Sequence, residues 1–240
     1  MRLQISSLVK KFGNKIAVNN VSLQINSGEV YCLIGPNGSG KTTIVKNVTG
    51  LLHPSAGTIR IGDFDTERDA FKAKSLIGYI PDEPTAWSAI TGEEFLHIIG
   101  ALYSMPEKER ASKITELLPI FQLESISKEY FEDYSRGNKQ KFSILAALMH
   151  NPQLLVIDEP IVGLDPISAE TAKKLFADFA KKGGMVLMVT HTLAVAEQIA
   201  DRIGFIEGGK LLISGTMADL RTKANATAGA SLETVYKALV

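Results

Sequence analysis

The sequence predicts an α/β fold in which helices cover a mainly parallel sheet, with an antiparallel N-terminal β-subdomain and an inserted α-helical subdomain. Two continuous apolar runs, at residues 154–157 and 185–189, are typical of strands buried on both faces, and a helical pattern separates them. The first 30 residues instead show short alternating strands, and residues 91–149 have an almost purely helical pattern. At 240 residues the chain is long enough for one large domain with a subdomain.

The elements predicted before the helical insert are mostly strands. They fall at residues 3–8, 15–18, 21–25, 30–34, 58–61 and 77–80. Asn19-Asn20 and Ser27-Gly28 have the composition of turns, and Pro81 ends the last of these strands. Helices are expected at residues 42–49 and around residues 66–75.

The helical insert, placed at about residues 85–150, contains a clear helix start. Thr91-Gly92-Glu93-Glu94 is a capping box, in which the Thr91 side chain accepts from a backbone amide and Glu94 reaches back. Two apolar stripes at helical spacing are interpreted as core packing. They consist of Phe95, Ile98, Ile99 and Leu102, followed by Ile114, Leu117, Leu118 and Phe121.

Strands and helices alternate again in the second half of the chain. Strands are predicted at residues 154–157, 185–189 and 203–206, and helices at residues 167–181 and 193–200. Gly208-Gly209 has the composition of a hairpin turn leading to a strand at residues 210–213. Residues 222–230 are interpreted as a weakly ordered linker before a last short helix, within a C-terminal tail at residues 216–240.

A complete G-x-x-x-x-G-K-[ST] motif lies between the apolar run at residues 30–34 and the helix at residues 42–49. It consists of Gly35-Pro36-Asn37-Gly38-Ser39-Gly40-Lys41-Thr42. Its glycines let backbone N–H groups turn toward an anion, and the helix behind them presents its positive dipole end. Lys41 would reach the β- and γ-phosphates of a nucleotide, and the Thr42 hydroxyl would bind Mg²⁺. The strand-loop-helix context predicts a P-loop NTPase core.

Composition limits the possible partners. The chain has 26 basic and 26 acidic side chains, which argues against broad electrostatic binding to nucleic acid or to an anionic bilayer. Cys32 is the single cysteine, so we expect no disulfide framework and a reducing compartment. No signal peptide and no membrane span are predicted, and a role at the membrane therefore requires a partner.

Polar residues follow two of the apolar strands, at the edge where open α/β sheets bind ligands. Asp158 and Glu159 come directly after the strand at residues 154–157. Asp158 is placed to hold Mg²⁺, and Glu159 to accept a proton from an attacking water. His191 ends the next strand and would contact a γ-phosphate oxygen. A single histidine at a strand end is more often structural, but the convergence of three strand ends favours a functional role.

The helix start near residue 135 carries unusual charge. Arg136, Lys139 and Lys141 crowd its first turns without an acidic residue, although cations are disfavoured at the positive end of a helix. Ser135 as N-cap and Gly137 as a point of close approach suit a phosphate group. The alternative is a set of solvated basic residues on a surface helix.

The order of these motifs resembles that of the nucleotide-binding subunit of an ATP-binding cassette (ABC) transporter, over residues 1–215. The loop at residues 35–42 is similar to the Walker A motif of that family, and residues 154–159 are similar to Walker B with its catalytic glutamate. Residues 163–165 are similar to the D-loop, His191 to the switch histidine, and residues 135–140 to the signature motif.

The resemblance implies a set of site residues and cofactors. ATP-binding residues would be Phe12, which would stack on adenine, together with Val18, Gly35, Pro36, Asn37, Gly38, Ser39, Gly40, Lys41, Thr42 and Thr43. Catalytic residues would be Glu159, His191 and Lys41, and Mg²⁺ would be held by Thr42, Asp82 and Asp158. The D-loop would contribute Asp165, and the signature would contribute Ser135, Arg136, Gly137 and Asn138 in trans.

Two motifs depart from the usual pattern of the family. In the signature, Arg136 replaces the first glycine and Asn138 stands where glutamine is common, a pattern that resembles single-cassette exporters with Y-S-x-G. Arg136 either adds charge near phosphate or faces solvent. Asp82 stands where a glutamine usually contacts Mg²⁺ and the attacking water. It keeps an oxygen ligand but adds negative charge and loses the amide donor.

The implied function is ATP hydrolysis that drives a separate integral membrane permease, more specifically an exporter. Two copies, or this chain and a homologue, would sandwich two ATP molecules, each completed by the signature of the other chain. The chain would then lie in the cytoplasm, peripheral on the inner face of the cell membrane, with no nucleic-acid partner. Trp87 either contacts the permease or is buried in the helical insert.

Two other functions are compatible with parts of the sequence. A soluble ABC-type ATPase could regulate or assemble a cytosolic complex, but neither tandem cassettes nor a nucleic-acid-binding linker is seen. A P-loop kinase would leave residues 135–140 and His191 without a role.

Overall fold

The computed structural model describes residues 1–84, 89–159, 161 and 163–240. The strands are β1 (Arg2–Phe12), β2 (Lys15–Asn26), β3 (Val30–Ile34), β4 (Ala56–Ile61), β5 (Phe64–Asp65), β6 (Ile77–Ile80), β7 (Leu154–Asp158), β8 (Met185–Thr190), β9 (Arg202–Glu207) and β10 (Lys210–Gly215). The helices are α1 (Lys41–Val48), α2 (Ala70–Ser75), α3 (Gly92–Leu102), α4 (Glu107–Leu117), α5 (Arg136–Leu148), α6 (Pro166–Lys181), α7 (Leu193–Ile199), α8 (Met217–Lys223) and α9 (Leu232–Leu239). Short 3₁₀ turns occupy Leu118–Phe121 and Phe131–Asp133.

The main sheet has the strand order β10-β9-β3-β8-β7-β6, and only β10 runs antiparallel to its neighbour. All residues of β3, β7 and β8 are buried, as their apolar runs predicted, because helices cover both faces. Ile34 pairs with Thr190, and Asp158 pairs with Val189. The register therefore brings the carboxyl ends of β3, β7 and β8 together at one edge, where the polar residues follow.

The second sheet is antiparallel, in the order β2-β1-β4-β5, which confirms the predicted N-terminal strands. The predicted turn at Asn19-Asn20 is wrong, because β2 runs continuously through it. Leu8 pairs with Val21 and Lys10 with Val18, so β2 carries one extra residue between these pairs. Asn20 adopts a φ of 57°, and a bulge with a left-handed asparagine explains why a strand interior has the composition of a turn.

The helical insert packs around Phe131, whose ring centroid lies 4.8 Å from that of Phe95, and its buried residues join the core on one face of the main sheet. The capping box at the start of α3 is confirmed, since Thr91 accepts from the Glu94 amide and Glu94 accepts from the Thr91 amide. The second predicted stripe, at residues 114–121, is buried as expected. In the first stripe, the predicted burial of Leu102 is wrong. Its side chain is 68% exposed, because Leu102 is the last residue of α3 and points outward.

The C-terminal region contains more structure than the predicted linker. Helix α8 covers residues predicted to start the linker, and its Thr216 capping box was not recognised in the sequence. The Arg221 Nε donates to the Ala230 carbonyl oxygen at 2.8 Å, which ties the segment before α9 to α8. Leu232 and Val235 of α9 are fully buried, and Tyr236 packs edge-on against Phe205 of β9. These contacts hold both helices against the main core.

Two further expectations concern the membrane and the single cysteine. None of the described helices combines the length and the apolar character that a bilayer span needs. Trp87, for which the sequence left a permease contact and burial both open, lies outside the described residues. Cys32 sits in the middle of β3 and is fully buried, where it packs as a small apolar side chain.

Candidate nucleotide site

The loop at residues 35–40 turns tightly between β3 and α1. A Cβ atom on Gly35 would lie 2.1 Å from the Ile206 carbonyl oxygen, and one on Gly40 would lie 2.6 Å from the Ala17 carbonyl oxygen. Gly40 is also the N-cap of α1 at a φ of 105°, and no side chain caps the helix there. The backbone N–H groups at the start of α1 are consequently available to an anion.

Lys41 is the cation of this loop. Its side chain is folded back, and the Nζ donates to the carbonyl oxygens of Gly35 at 2.7 Å and Pro36 at 3.1 Å. Burial lowers the pKa of the Lys41 ammonium, while the charges of Glu159 and Asp158 act in the opposite direction. The ammonium group is therefore already held inside the loop, so it could contact a bound phosphate without a large rearrangement.

Asp158 is the buried acid at the carboxyl end of β7. Burial raises the pKa of its carboxyl group, a hydrogen bond from Thr42 lowers it, and the neighbouring carboxylates of Asp82 and Glu159 raise it again. Thr42, Asp158 and Asp82 therefore face one another across the site. A cation placed between these oxygen atoms would relieve the repulsion among the carboxylates.

Glu159 is held in place by the end of β8. Its backbone has a φ of 49°, which is uncommon for a side-chain-bearing residue. Its Oε2 accepts from the Thr190 hydroxyl at 2.9 Å, and its Oε1 accepts from the His191 backbone N–H at 2.8 Å. The Nδ1 of the His191 ring also lies 2.7 Å from Oε1. The structure thus joins the two strand ends that the sequence predicted to converge, and it adds Thr190, which the sequence analysis did not single out.

These groups line one cavity of about 660 Å³. The predicted site residues on its wall are Phe12, Asn37, Gly38, Gly40, Lys41, Thr42, Thr43, Asp82, Arg136, Asp158, Glu159 and His191. Phe12 is 48% exposed, and the Lys10 Nζ lies over its ring, 5.1 Å from the ring centroid. Gly35, Pro36 and Ser39 form the loop behind this wall, whereas Val18 is fully buried beneath Gly40.

Part of the cavity wall was missed by sequence reasoning: Lys15, Ile16, Ala17, Gly208 and Gly209. They come from the β1–β2 and β9–β10 hairpins, which meet at the glycine loop. The Gly209 N–H donates to the Ser39 carbonyl at 3.0 Å, and the Asn19 N–H donates to the Gly209 carbonyl at 2.8 Å. The sequence signalled a turn at Gly208-Gly209, but nothing local indicated that the turn would support the loop.

The four predicted signature residues divide into two groups. Ser135 is the N-cap of α5, as expected, and its hydroxyl accepts from the Asn138 N–H at 3.2 Å. Ser135, Gly137 and Asn138 do not line the cavity of their own chain, whereas Arg136 does. The Arg136 Nη2 lies 3.7 Å from the Asp82 Oδ1 of the same chain.

Comparison with known proteins identifies the family. Residues 18–162 match the family model described as ABC transporter. The chain belongs to the ABC transporter family. It is 34% identical over 218 residues to the linearmycin resistance ATP-binding protein LnrL of Bacillus subtilis (strain 168), covering 91% of this chain and 70% of LnrL.

Two solved structures agree with this membership. An ATP-binding subunit of an ABC transporter superposes with a TM-score of 0.94 at 31% identity, covering 100% of this chain and 99% of that chain. The dimeric cassette MJ0796, in a post-hydrolysis state with ADP and Pi, superposes with a TM-score of 0.82 at 25% identity over 90% of this chain and 98% of that one. The present chain is accordingly an ATP-binding, ATP-hydrolysing subunit of an ABC transporter. ATP-binding subunits of this family dimerise and act with membrane permease subunits.

Asp165, the predicted D-loop residue, contacts α5, the helix that begins with the predicted signature residues. It caps α6, because its carboxylate accepts from the Ser168 N–H at 2.9 Å and from the Ser168 hydroxyl at 2.6 Å. The Lys141 Nζ of α5 lies 3.1 Å from the same carboxylate. The Ser168 bonds, followed by Lys141, hold the pKa of Asp165 far below its ordinary value. The D-loop and the signature helix are therefore tied together within one ABC subunit.

A second cavity of this ABC subunit, about 360 Å³, lies beside the loop that carries Asp82. It is mostly apolar and is lined by Tyr79, Pro81, Phe95, Ile99, Tyr103, Ser143, Ala146, Ala147 and His150. The His150 ring stacks on Tyr103 at 3.6 Å, and its Nε2 lies 3.0 Å from the Ile77 carbonyl oxygen. Burial lowers the pKa of His150 to about 4, so the groove presents a neutral ring at physiological pH.

Proposed function

We propose that this chain binds MgATP in the cavity at the carboxyl edge of the main sheet, hydrolyses it in a dimer, and powers an exporter through a membrane permease. The single observation that supports this is that one cavity gathers Lys41, the uncapped start of α1, Asp158 and Glu159. The ammonium group and the helix start would bind a polyanion, and the carboxylates would hold a metal ion and a water molecule.

The cavity suits ATP along its length. The start of α1 and the Lys41 ammonium would bind the phosphates, and the first backbone N–H groups of α1, which no side chain caps, would donate to them. Phe12 also lines the cavity and is about half exposed, which suits stacking on adenine.

The oxygen donors around Asp158 fit Mg²⁺. This ion prefers oxygen ligands and is usually held by one or two carboxylates together with substrate phosphates. Asp158, Asp82 and the Thr42 hydroxyl supply such a set, and the repulsion that raises the pKa of Asp158 is what a cation would relieve. When bound, Mg²⁺ would neutralise charge that develops on the phosphates. The three residues would orient it.

Glu159 would act as the general base. A carboxylate offers about four lone-pair positions, of which His191 uses two at Oε1 and Thr190 uses one at Oε2. The remaining position on Oε2 can accept a hydrogen bond from a water molecule and then its proton. His191 fixes the Glu159 carboxylate with Nδ1 and leaves Nε2 to contact the γ-phosphate.

The dimer follows from the incomplete signature site. Ser135, Gly137 and Asn138 lie at the start of α5 but, unlike Arg136, do not line the cavity of their own chain. A second copy related by a two-fold axis would bring this helix start to the other nucleotide. MJ0796, a relative in structure, is dimeric in its nucleotide-bound state.

The apolar groove beside Asp82 is our candidate for the permease contact. Tyr79 and Pro81 lie just before Asp82 in the chain, so a partner seated there would sense the nucleotide side of the same segment. Two observations favour export: LnrL is named as a resistance protein, and residues 134–137 match the Y-S-x-G motif. The chain would then be peripheral on the inner membrane face.

The proposal is tested with Glu159→Gln, which keeps a hydrogen-bonding side chain but cannot take a proton. We expect this variant to accumulate as a dimer in saturating MgATP, because ATP would bridge the two chains and would not be hydrolysed. Light scattering with and without MgATP measures the mass, and Glu116→Gln on α4 is the matched control. A Glu159→Gln protein that stays monomeric in MgATP contradicts the sandwich dimer.

The membrane part of the proposal has its own test. The chain is tagged in its native cell, the membranes are solubilised gently, and the proteins that co-purify are identified. We expect an integral membrane protein in stoichiometric amount. Recovery of soluble companions alone would instead support a regulatory ATPase.

A further inference from the structure

Arg136 and Asp82 are two of the three positions at which this chain departs from the usual ABC pattern, the third being Asn138, and the fold brings these two together. They belong to different motifs, one at the start of α5 and the other after β6. The Arg136 Nη2 lies 3.7 Å from the Asp82 Oδ1, and both residues line the nucleotide cavity. Two neutral residues of the family pattern are thus replaced here by a cation and an anion that face each other.

The path of the Arg136 side chain explains how it reaches Asp82. A Cβ atom added to Gly137 would lie 2.9 Å from the Gly163 carbonyl oxygen, so the signature and the D-loop touch through their backbones. A Cβ atom added to Gly163 would lie 3.4 Å from the Arg136 Cδ. The stem of Arg136 therefore crosses over Gly163, and one side chain connects the signature, the D-loop and the segment with Asp82.

The charges around the pair favour this arrangement in the absence of nucleotide. Asp158 and Glu159 line the same cavity as Asp82, so three carboxylates face one space. The Lys41 ammonium is bonded to the loop carbonyls and His191 contacts Glu159, whereas the cation seen within 4 Å of Asp82 among the described residues is Arg136. The Arg136 and Asp82 side chains are 56% and 49% exposed, so the pair is solvated and weak enough to open and close.

We propose that Arg136 and Asp82 form a latch within one chain, closed when the cavity is empty and opened when MgATP binds. The inference rests on the proposed function, because it takes this cavity to be the MgATP site. Bound triphosphate competes with Asp82 for Arg136, and Mg²⁺ competes with Arg136 for Asp82. Opening the latch frees the start of α5 from its own cavity, and this makes the helix start available to the partner chain. Arg136 is in this role a positioning residue.

A double-mutant cycle tests the latch. The dissociation constant for a fluorescent ATP analogue with Mg²⁺ is measured for the wild type, Arg136→Ala, Asp82→Asn and the double variant. The full chain is used at concentrations at which light scattering shows monomer. The attraction or repulsion of each residue for the nucleotide cancels in the cycle. What remains is the change in the interaction between Arg136 and Asp82 on binding.

If the latch must open for nucleotide to bind, the wild type binds more weakly than the single variants predict. We therefore multiply the dissociation constants of the wild type and the double variant, and divide by the product of the dissociation constants of the two single variants. We expect this ratio to be about 1.4 to 5, the range for a solvated ion pair. The excess should shrink at 1 M salt, where the Debye length is about 3 Å. A ratio of one, or below one, overturns the latch.

Two controls separate the possible failures. The Lys113–Glu116 pair on α4 is also partly exposed and lies outside the cavity, so the cycle of Lys113→Ala and Glu116→Ala should give a ratio of one. Wild-type binding that Lys41→Ala weakens by about 10- to 100-fold establishes the site itself. If the site binds ATP and the Arg136 cycle gives a ratio of one, the latch alone is wrong. If the wild type does not bind ATP, the proposed function is wrong as well.

Discussion

The chain contains two helix starts suited to phosphate, and they differ in how complete they are. The loop before α1 has its cation, Lys41, bonded inside it and its acidic counterparts, Asp158 and Glu159, on the facing wall. The start of α5 has a serine cap and a cation, Arg136, but its acid contact is Asp82 at the mouth of the other site. Under the proposed function, the first helix start belongs to a site within the chain, while the second completes the site of a partner chain.

The largest effect is expected from a substitution of an acidic residue in the complete site. Glu159→Gln should lower the rate of ATP hydrolysis by about 10²- to 10⁴-fold, the contribution of a general base, because the amide cannot accept the proton of water. Steady-state phosphate release measures the rate. Glu116→Gln should hydrolyse ATP at the wild-type rate. Equal activity of the two variants would remove Glu159 from catalysis.

The next largest effect is expected from a substitution of the basic residue in the same site. Lys41→Ala should weaken ATP binding by about 10- to 100-fold, because a charge-assisted hydrogen bond contributes about 1.5–3 kcal/mol. Binding of a fluorescent ATP analogue measures the affinity. Lys46 lies in the last turn of the same helix and is exposed, so Lys46→Ala is the control. Unchanged binding by Lys41→Ala would rule out the loop as the phosphate site.

A smaller effect sharpens the contrast between the two helix starts. Ser135→Ala should leave ATP binding by the monomer unchanged and weaken MgATP-driven dimerisation of the Glu159→Gln background about tenfold, because Ser135 serves the other chain. Titration by light scattering measures the dimer. Ser231→Ala removes the equivalent N-cap of α9 and controls for lost helix stability. A loss of monomer affinity in Ser135→Ala would mean that the second site serves its own chain.

The smallest effect concerns the support behind the start of α5. Asp165→Asn removes the charge that Lys141 contacts, and we expect the Tm at pH 7 to fall by no more than about 2–4 °C. The pKa of Asp165 is held far below its ordinary value, so its contribution is present above pH 3.8 and is lost as the pH falls through the folded-state pKa. The difference in Tm between wild type and variant should therefore persist from pH 7 to pH 4.

Asp178→Asn is the matched control for that measurement, since Asp178 pairs with Lys181 on the exposed face of α6. A difference for Asp165→Asn that disappears already at pH 5 would contradict the low pKa of Asp165. No difference at any pH would mean that the Lys141 contact contributes nothing to stability.

The order of elements and the catalytic edge could be predicted because their signals are local. Continuous apolar runs marked β7 and β8, and the acidic residues stood directly after β7 in the sequence. The bulge at Asn20 was predicted as a turn, because asparagine in the left-handed conformation is found both in turns and in bulges. The support of the loop by Gly209 and the contact between Arg136 and Asp82 join distant segments, so no local pattern could reveal them.

The buried position of Cys32 has a practical consequence. Burial raises the pKa of this thiol to about 12, so almost no thiolate forms at neutral pH and labelling reagents have no access to it. A cysteine engineered on the surface would then be the single reactive thiol of the chain. A dye pair placed in this way near the start of α5 and near Phe12 would report, by energy transfer between two labelled copies, how closely the chains approach during each round of turnover.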